Sequence, residues 1–394
     1  MSLKQRLGNW LFVLLIFMFV ADPTNTIFGL KSIVFVVLFA YNIICFRADV
    51  SKFKYFLLPL IAISLSFVFA AIRGEVYDVP FIVGECTAFV PLLLLPWISN
   101  YNVLGLSRGP VIFMVSLVVV LFWVISFVPS FEHTLYAFTS SNDHTIMLSR
   151  RVFMGYSAFA MYCKATVAFI PIFAIVVYEA LCVKKRVPLS LLVLAIFVHY
   201  FLISGTRSSM LLPLLLMFMI IFIFKRNNRY LRYVIYSLVI LACVALVAVF
   251  VALISEPGEH SNMVKYAHLS SYIEHFAKNP LFLITGQGPG TSFYTKGFYA
   301  MVMNTEWSYL ELIRRYGLFS LMIFYLFFEP LKRLYALKDT DKGIVVLLAY
   351  VIYLIIAGTN PLLLSSTGML IVLMVHGFIE NGRKNVEPDE VAGV

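Results

Sequence analysis

Residues Val187 to Phe224 read VPLSLLVLAIFVHYFLISGTRSSMLLPLLLMFMIIFIF, and Arg207 is their one charged residue. The run is too long for a single bilayer crossing, which takes about 20 residues. Two spans joined at Ser204-Gly205-Thr206-Arg207-Ser208 account for it. Gly205 supplies a tight turn, and Thr206, Ser208 and Ser209 can satisfy backbone groups loosened where two helices meet. A guanidinium at such a junction is costly unless it faces water, a bundle interior or an anion. The plain reading is a snorkelling hairpin tip. Other charged residues gather on the same side, which favours a binding site for something anionic.

The rest of the chain supports a membrane setting. It is 61% hydrophobic and 13% charged, with mean hydropathy +0.93. Runs such as Val111–Val128 and Tyr233–Ile254 meet the length for crossing a bilayer. A net charge of +10 would suggest nucleic acid in a soluble protein; here it reflects orientation, and no nucleic-acid partner is expected. Of the 30 Lys and Arg, nineteen fall in segments that alternation assigns to one side, including Lys184-Lys185-Arg186, the group Lys225, Arg226, Arg229 and Arg232, and Lys332, Arg333, Lys338 and Lys342. The positive-inside rule makes that side cytoplasmic. The five cysteines form no C-x-x-C and give neither a disulfide framework nor a zinc signature. The basic, apolar N-terminus lacks a small-x-small cleavage site and reads as a retained first helix.

Hydropathy predicts an all-α polytopic membrane protein, a single domain over 1–394 with twelve helices and both termini inside. The expected spans are 9–21, 28–46, 55–72, 81–97, 110–128, 157–182, 188–204, 209–224, 233–254, 306–330, 343–359 and 362–380. Two outer segments exceed simple turns, 129–156 and the larger 255–305. Connections beyond about 15 residues are usually functional, so the work is expected on the outer face, where no nucleotide is available.

The stretch Asn304 to Gly317 opens the tenth expected span. Thr305 can cap that helix, and acids in its first turns suit its dipole. Glu306, Tyr309 and Leu310 share a face by spacing, with Arg314 and Arg315 beneath. Such a carboxylate and guanidinium either pair internally or bind substrate. Gly286-x-Gly288-x-Gly290 resembles a phosphate-cradling loop, but no Lys-Ser/Thr follows and it lies outside, so a close backbone turn is the expected role. On a helix, His268 and His275 stand roughly 10 Å apart along the axis, too far for one ion, so no metal is expected. Asp339-Thr340-Asp341 mimics a metal-binding D-x-D yet reads as a solvated charge cluster. Lys164, in the sixth expected helix, is the deepest charge, and it snorkels or faces a cavity.

Several of these motifs together resemble the O-antigen polymerase and ligase superfamily of Wzy- and WaaL-type proteins. They are Ser204-Gly205-Thr206-Arg207-Ser208-Ser209, Asn279-Pro280-Leu281 leading to Gly286-Gln287-Gly288-Pro289-Gly290, and Glu306-x-x-Tyr309-Leu310 closing on Tyr316-Gly317-Leu318. The resemblance covers roughly Val187 to Tyr325. It implies a membrane glycosyltransferase of the GT-C type in the bacterial inner membrane, with its active site in the periplasm. Its donor and acceptor would be undecaprenyl-diphosphate-linked oligosaccharides, with no metal or cofactor, and a chain-length regulator would be a partner. Carried over, Arg207 holds the lipid diphosphate, and Arg151 in Arg151-x-Phe153-x-Gly155 matches the earlier outer-loop arginine. Glu306 stands where the ligase branch has histidine, which favours polymerase over ligase. Where the family has a second arginine before the glycine turn, the nearest candidates here are Lys265 and His268.

The implied chemistry is a single inverting displacement. Arg207, with Arg314 or Arg151, would stabilise the diphosphate leaving group by charge-assisted bonds, and Glu306 would take the acceptor hydroxyl's proton. The alternatives are a ligase transferring glycan to lipid A-core, a monophosphate-sugar transferase using Asp22, and a flippase or exporter. Asp22-Pro23-Thr24-Asn25 reads more simply as a turn.

Overall fold

Helix α1 (Leu3–Ala21) starts where the Ser2 hydroxyl accepts from the Gln5 amide and ends at Asp22, whose carboxylate accepts from the amides of Thr26 and Phe28. The expected Asp22 turn is present, with Asn25 at φ 63°. The computed structural model describes residues 2–142, 145–153, 156–183, 188–225 and 260–386. In chain order α1 is followed by α2 (Lys31–Cys45), α3 (Lys54–Ile72), α4 (Val79–Ala88), α5 (Val103–Phe127), α6 (Ser130–Ser141), strands β1 (Ile146–Phe153) and β2 (Tyr156–Cys163), α7 (Thr166–Val177), α8 (Pro188–Ile203) and α9 (Arg207–Lys225). After the segment outside the description come α10 (His260–Lys278), β3 (Phe293–Thr295), β4 (Ala300–Val302), α11 (Ser308–Tyr316), α12 (Ser320–Tyr335), α13 (Asp341–Gly358) and α14 (Ser366–Val386).

Among the described residues, five helical segments are long and apolar enough to cross a membrane: Leu3–Ala21, Val50–Ile72, Val79–Asn100, Val103–Phe127 and Asp341–Gly358. Four shorter apolar helices accompany them. The protein is mostly helical, as an all-α membrane protein would be. Pro91 and Pro96 withhold amide donors, and the chain after α4 continues as a tight 3-10 stretch, Val90–Asn100. Helix α7 is buried on almost every face, the expected fate of a helix apolar all round. It packs against α13, α9 and α5 at the centre.

Three expected spans differ. Residues 157–163 form β2, not the start of a helix; β2 pairs antiparallel with β1 from Ile146 opposite Cys163 to Phe153 opposite Tyr156. A short apolar run reads equally as strand or helix, and here cross-strand pairing decides. Lys164 therefore sits at the strand–helix junction, its amide bonded to the Thr145 carbonyl. The tenth expected span divides at Gly317 (φ 53°) into α11 and α12. The last helix begins at Ser366 rather than 362, after a turn. The span expected at 233–254 lies outside the described residues.

Alternation sorts the chain ends into two groups. At one end Lys52 and Arg333 both pair with Glu380, and Arg108 pairs with Glu179 at 2.7 Å. There Asp341, in the D-x-D stretch, accepts from Tyr178 at 2.6 Å, and Thr340 caps α13. That cluster is a helix start. The opposite end carries the Asp22 turn, α6, the β1–β2 hairpin, Gly205 and everything from α10 to α11. The large segment expected as loop, 255–305, is thus built largely of α10 and the β3–β4 hairpin where it is described.

Candidate functional site

Helix α11 is amphipathic, and its polar face is turned inward. Glu311 (2% exposed) lies between two arginines, with Arg314 Nη2 at 2.8 Å and Arg315 Nε at 3.2 Å, and it accepts from the Tyr272 hydroxyl on α10. Arg315 also pairs with Glu85 of α4, donates to the Met303 carbonyl at 2.6 Å and lies over the Phe81 ring. Two carboxylates and two guanidiniums therefore balance in a nearly dry cluster. Burial of charge is tolerable only with such pairing.

Arg314, expected to reach substrate, is fully buried. Its Nε and Nη2 donate to Glu311, Nη2 also to the Met303 carbonyl, and Nη1 to Gln287 Oε1 at 2.6 Å and to Thr291. Phe293 stacks beneath it. All five N–H groups are occupied, so Arg314 is a clamp on the neighbouring loop. It pairs internally, as its spacing allowed, but with Glu311 and not Glu306.

That loop is Gly286-Gln287-Gly288-Pro289-Gly290, and its three glycines have φ of 73°, 121° and 71°. The amides of Gln287 and Gly288 donate to the Arg314 and Arg315 carbonyls at 2.6 and 3.0 Å, and a Cβ at Gly286 or Gly288 would overlap Arg315 or Ala70. The close-turn reading holds: these amides are committed to protein backbone. Arg73 at the end of α3 fastens the same loop through Thr285 Oγ1 and the carbonyls of Gly286 and Gln287.

Glu306 precedes α11 rather than opening it: the helix starts at Ser308, while the Thr305 hydroxyl accepts from the Trp307 amide and donates to the Tyr272 hydroxyl at 2.7 Å. Glu306 pairs with Lys265 of α10 at 3.0 Å, with side chains 41% and 34% exposed. His268, one turn beyond Lys265, is buried against Phe298, and burial lowers its pKa. His275 faces Phe282 and Phe293 instead; burial, then the nearby Arg314 guanidinium, pushes its pKa down to about 4. Both imidazoles are thus neutral near pH 7. Of the sequence candidates, the structure brings Lys265 and Glu306 into contact, and His268 lies on the same helix one turn on. Tyr309 does not join them: its hydroxyl donates to the Leu354 carbonyl at 2.8 Å and its ring lies against Gly358.

Arg207 begins α9 directly after the Gly205 turn (φ 66°). The side chains of Arg207 and Arg151 lie outside the described part, Arg151 falling on β1 opposite Ala158. The next residue, Ser208, accepts from Asn360 at 3.2 Å, and the Asn360 carbonyl accepts from Ser308 at 2.6 Å. Ser308 and Pro361 line a cavity of about 220 Å³ with Asn304, Glu85, Glu311 and Arg315. The start of α9 is therefore two hydrogen bonds from this cavity. A larger cavity of about 550 Å³ lies at the opposite end, where Arg108 and Glu179 satisfy each other.

Sequence reading missed Glu85 and Arg73. Glu85 is the one charge in Phe81–Trp97, and an isolated acid in an apolar span is by itself a signal. Arg73, just past an apolar helix, gave no comparable one. No protein family, curated protein or solved structure matches this chain, so the functional reading rests on its residues and geometry.

Proposed function

We propose that the protein is an inverting, metal-independent glycosyltransferase that polymerises undecaprenyl-diphosphate-linked repeat units at the periplasmic face of the bacterial inner membrane. The supporting observation is the link Ser208–Asn360–Ser308, which joins the Arg207 turn to a cavity walled by buried charge. In the reaction an acceptor sugar hydroxyl attacks the anomeric carbon of the donor. The bond to the diphosphate breaks, undecaprenyl diphosphate leaves, and the proton passes to Glu306. With Arg314 fully engaged, the leaving-group charge falls to Arg207, assisted by Arg151. Lys265, with His268 beside it, would hold Glu306 and neutralise the glycan's surroundings. Twelve spans, a GT-C arrangement and a chain-length regulator as partner complete the proposal. The test is polymerisation of lipid-linked oligosaccharide by purified protein in vesicles; a ligase would need lipid A-core, and an exporter would move glycan without lengthening it.

Orientation is checked by single-cysteine labelling in a background lacking the native cysteines. Ser140, on α6, and Tyr299, 82% exposed between β3 and β4, should react with an impermeant reagent from outside. Thr295 in the same hairpin is buried and unsuitable. Labelling of either site only from the cytoplasm would overturn the topology.

Glu306→Gln should lower turnover by about 10²–10⁴-fold, the usual worth of general-base catalysis. An exposed ion pair contributes only about 0–1 kcal/mol, so loss of the Lys265 partner should leave folding and lipid-linked substrate binding intact. Near-normal polymer from this variant would remove Glu306 from the base role.

A further inference from the structure

The cavity of about 550 Å³ at the opposite end from α11 has walls of two unlike kinds. It lies among the first turns of α5, the C-terminal halves of α7 and α14, and the start of α13. Ile172, Ile175 and Val176 of α7 and Phe378 of α14 give it an apolar wall. Water gains little against such a surface, whereas a hydrocarbon chain is driven onto it. The volume falls within the roughly 300–1,000 Å³ of pockets that hold drug-sized ligands.

The remaining wall is polar and carries a surplus of positive charge. Its charged residues are Arg108, Glu179 and Lys342, two cations against one anion. Arg108 Nη1 donates to Glu179 at 3.1 Å and Nη2 lies 2.7 Å from the other carboxylate oxygen. That pairing neutralises both and leaves further N–H groups of Arg108 to donate elsewhere. Lys342 has no ion pair among the described residues. Its neighbour Asp341 accepts from the Tyr178 hydroxyl at 2.6 Å and does not line the cavity. Asn381 spends its amide nitrogen on the Tyr101 and Gly377 carbonyls at 2.9 and 2.8 Å, so it offers the cavity an acceptor. Surplus positive charge beside an apolar wall suits an amphiphile with an anionic head. This end is the one the positive-inside rule makes cytoplasmic, and the anionic amphiphiles of that leaflet are phospholipids.

We propose that this cavity holds one anionic phospholipid of the cytoplasmic leaflet. Lys342 and Arg108 donate to its phosphate, Asn381 accepts from a head-group hydroxyl, and the first acyl carbons lie against α7 and Phe378. None of these residues belongs to the outer site, so the inference stands or falls apart from the polymerase reading.

The test uses purified full-length protein, with bound lipid counted by native mass spectrometry and the melting temperature followed during titration. Phosphatidylglycerol should be retained as one tightly held molecule and should raise the melting temperature. Phosphatidylcholine, whose head has no net charge, should bind about tenfold more weakly, the usual worth of a bond to a charged group. Glycerol 3-phosphate has the phosphate without the chains and should leave the transition unmoved. Lys342 is exposed, so Lys342→Met should fold normally and weaken phosphatidylglycerol by a similar factor. Lys338→Met is the control: that ammonium sits over the Tyr335 ring at 4.2 Å and does not line the cavity, so its loss should leave the affinity unchanged. Ile175→Trp should crowd out the lipid whatever its head, and Phe378→Trp serves the same purpose if that variant fails to fold. Equal losses from Lys342→Met and Lys338→Met would reveal a diffuse basic surface and overturn the site, as would phosphatidylcholine held equally tightly. Stabilisation by glycerol 3-phosphate alone would make it a site for soluble phosphate and remove the lipid.

Discussion

Arg207→Ala should abolish most polymer while the protein remains inserted and folded. Its backbone begins α9, where the Thr206 carbonyl already accepts the Met210 amide. The lost function is electrostatic. A diphosphate departing with its bonding pair gains charge in the transition state, and a prepositioned donor acts there with little reorganisation. Loss of one such donor typically slows a reaction about 10²–10³-fold. Arg207→Lys should recover only part, because an ammonium offers a point charge and lacks the planar fork that grips two oxygens. Chain length and rate are read together in reconstituted vesicles. Wild-type polymer from Arg207→Ala would end the diphosphate assignment, and with it the main support for the proposed chemistry.

Glu311→Ala should fail in a different way, by unfolding. Its carboxylate faces two guanidiniums and a tyrosine hydroxyl with almost no solvent. Removing one partner of a buried pair costs about 3–5 kcal/mol because the remaining charge stays uncompensated. That approaches the whole stability of many domains. The variant should show sharply reduced yield and a collapsed thermal transition. Combining it with Arg314→Met, which removes the extra positive charge, should restore part of the stability but not the hold on Gln287 and Thr291. A single variant as stable as wild type would show that the cluster is solvated and its pairing incidental.

The contrast between these substitutions shows what spacing in a sequence can convey. The break at Gly205, the Asp22 turn and the crowded glycine turn were legible because each depends on a few neighbouring residues with strong local preferences. The pairing of Arg315 with Glu85 was not, since 230 positions separate the partners and no periodicity links them. Arg314 misled for a related reason. Spacing put Glu306 on one helix with Arg314 as its available partner, but the helix begins at Ser308 and turns Arg314 onto Glu311 and the glycine loop. The β1–β2 hairpin escaped because Tyr156–Cys163 is apolar enough for either period, and strand pairing is a tertiary fact.

The distance between α4 and α11 along the chain also sets a timetable for synthesis. Ser66, Arg73 and Glu85 emerge from the ribosome early, but their partners at Thr285, Gly286 and Arg315 follow some 212 to 249 residues later. At about 5–20 residues per second, the first membrane helices wait on the order of ten seconds or longer with a carboxylate and a guanidinium unanswered. A half-made chain is therefore a client for insertion factors and proteases until α11 arrives. Any truncation before the glycine loop leaves an acid stranded in an apolar helix, which is a degradation signal built from the same groups that later form the site.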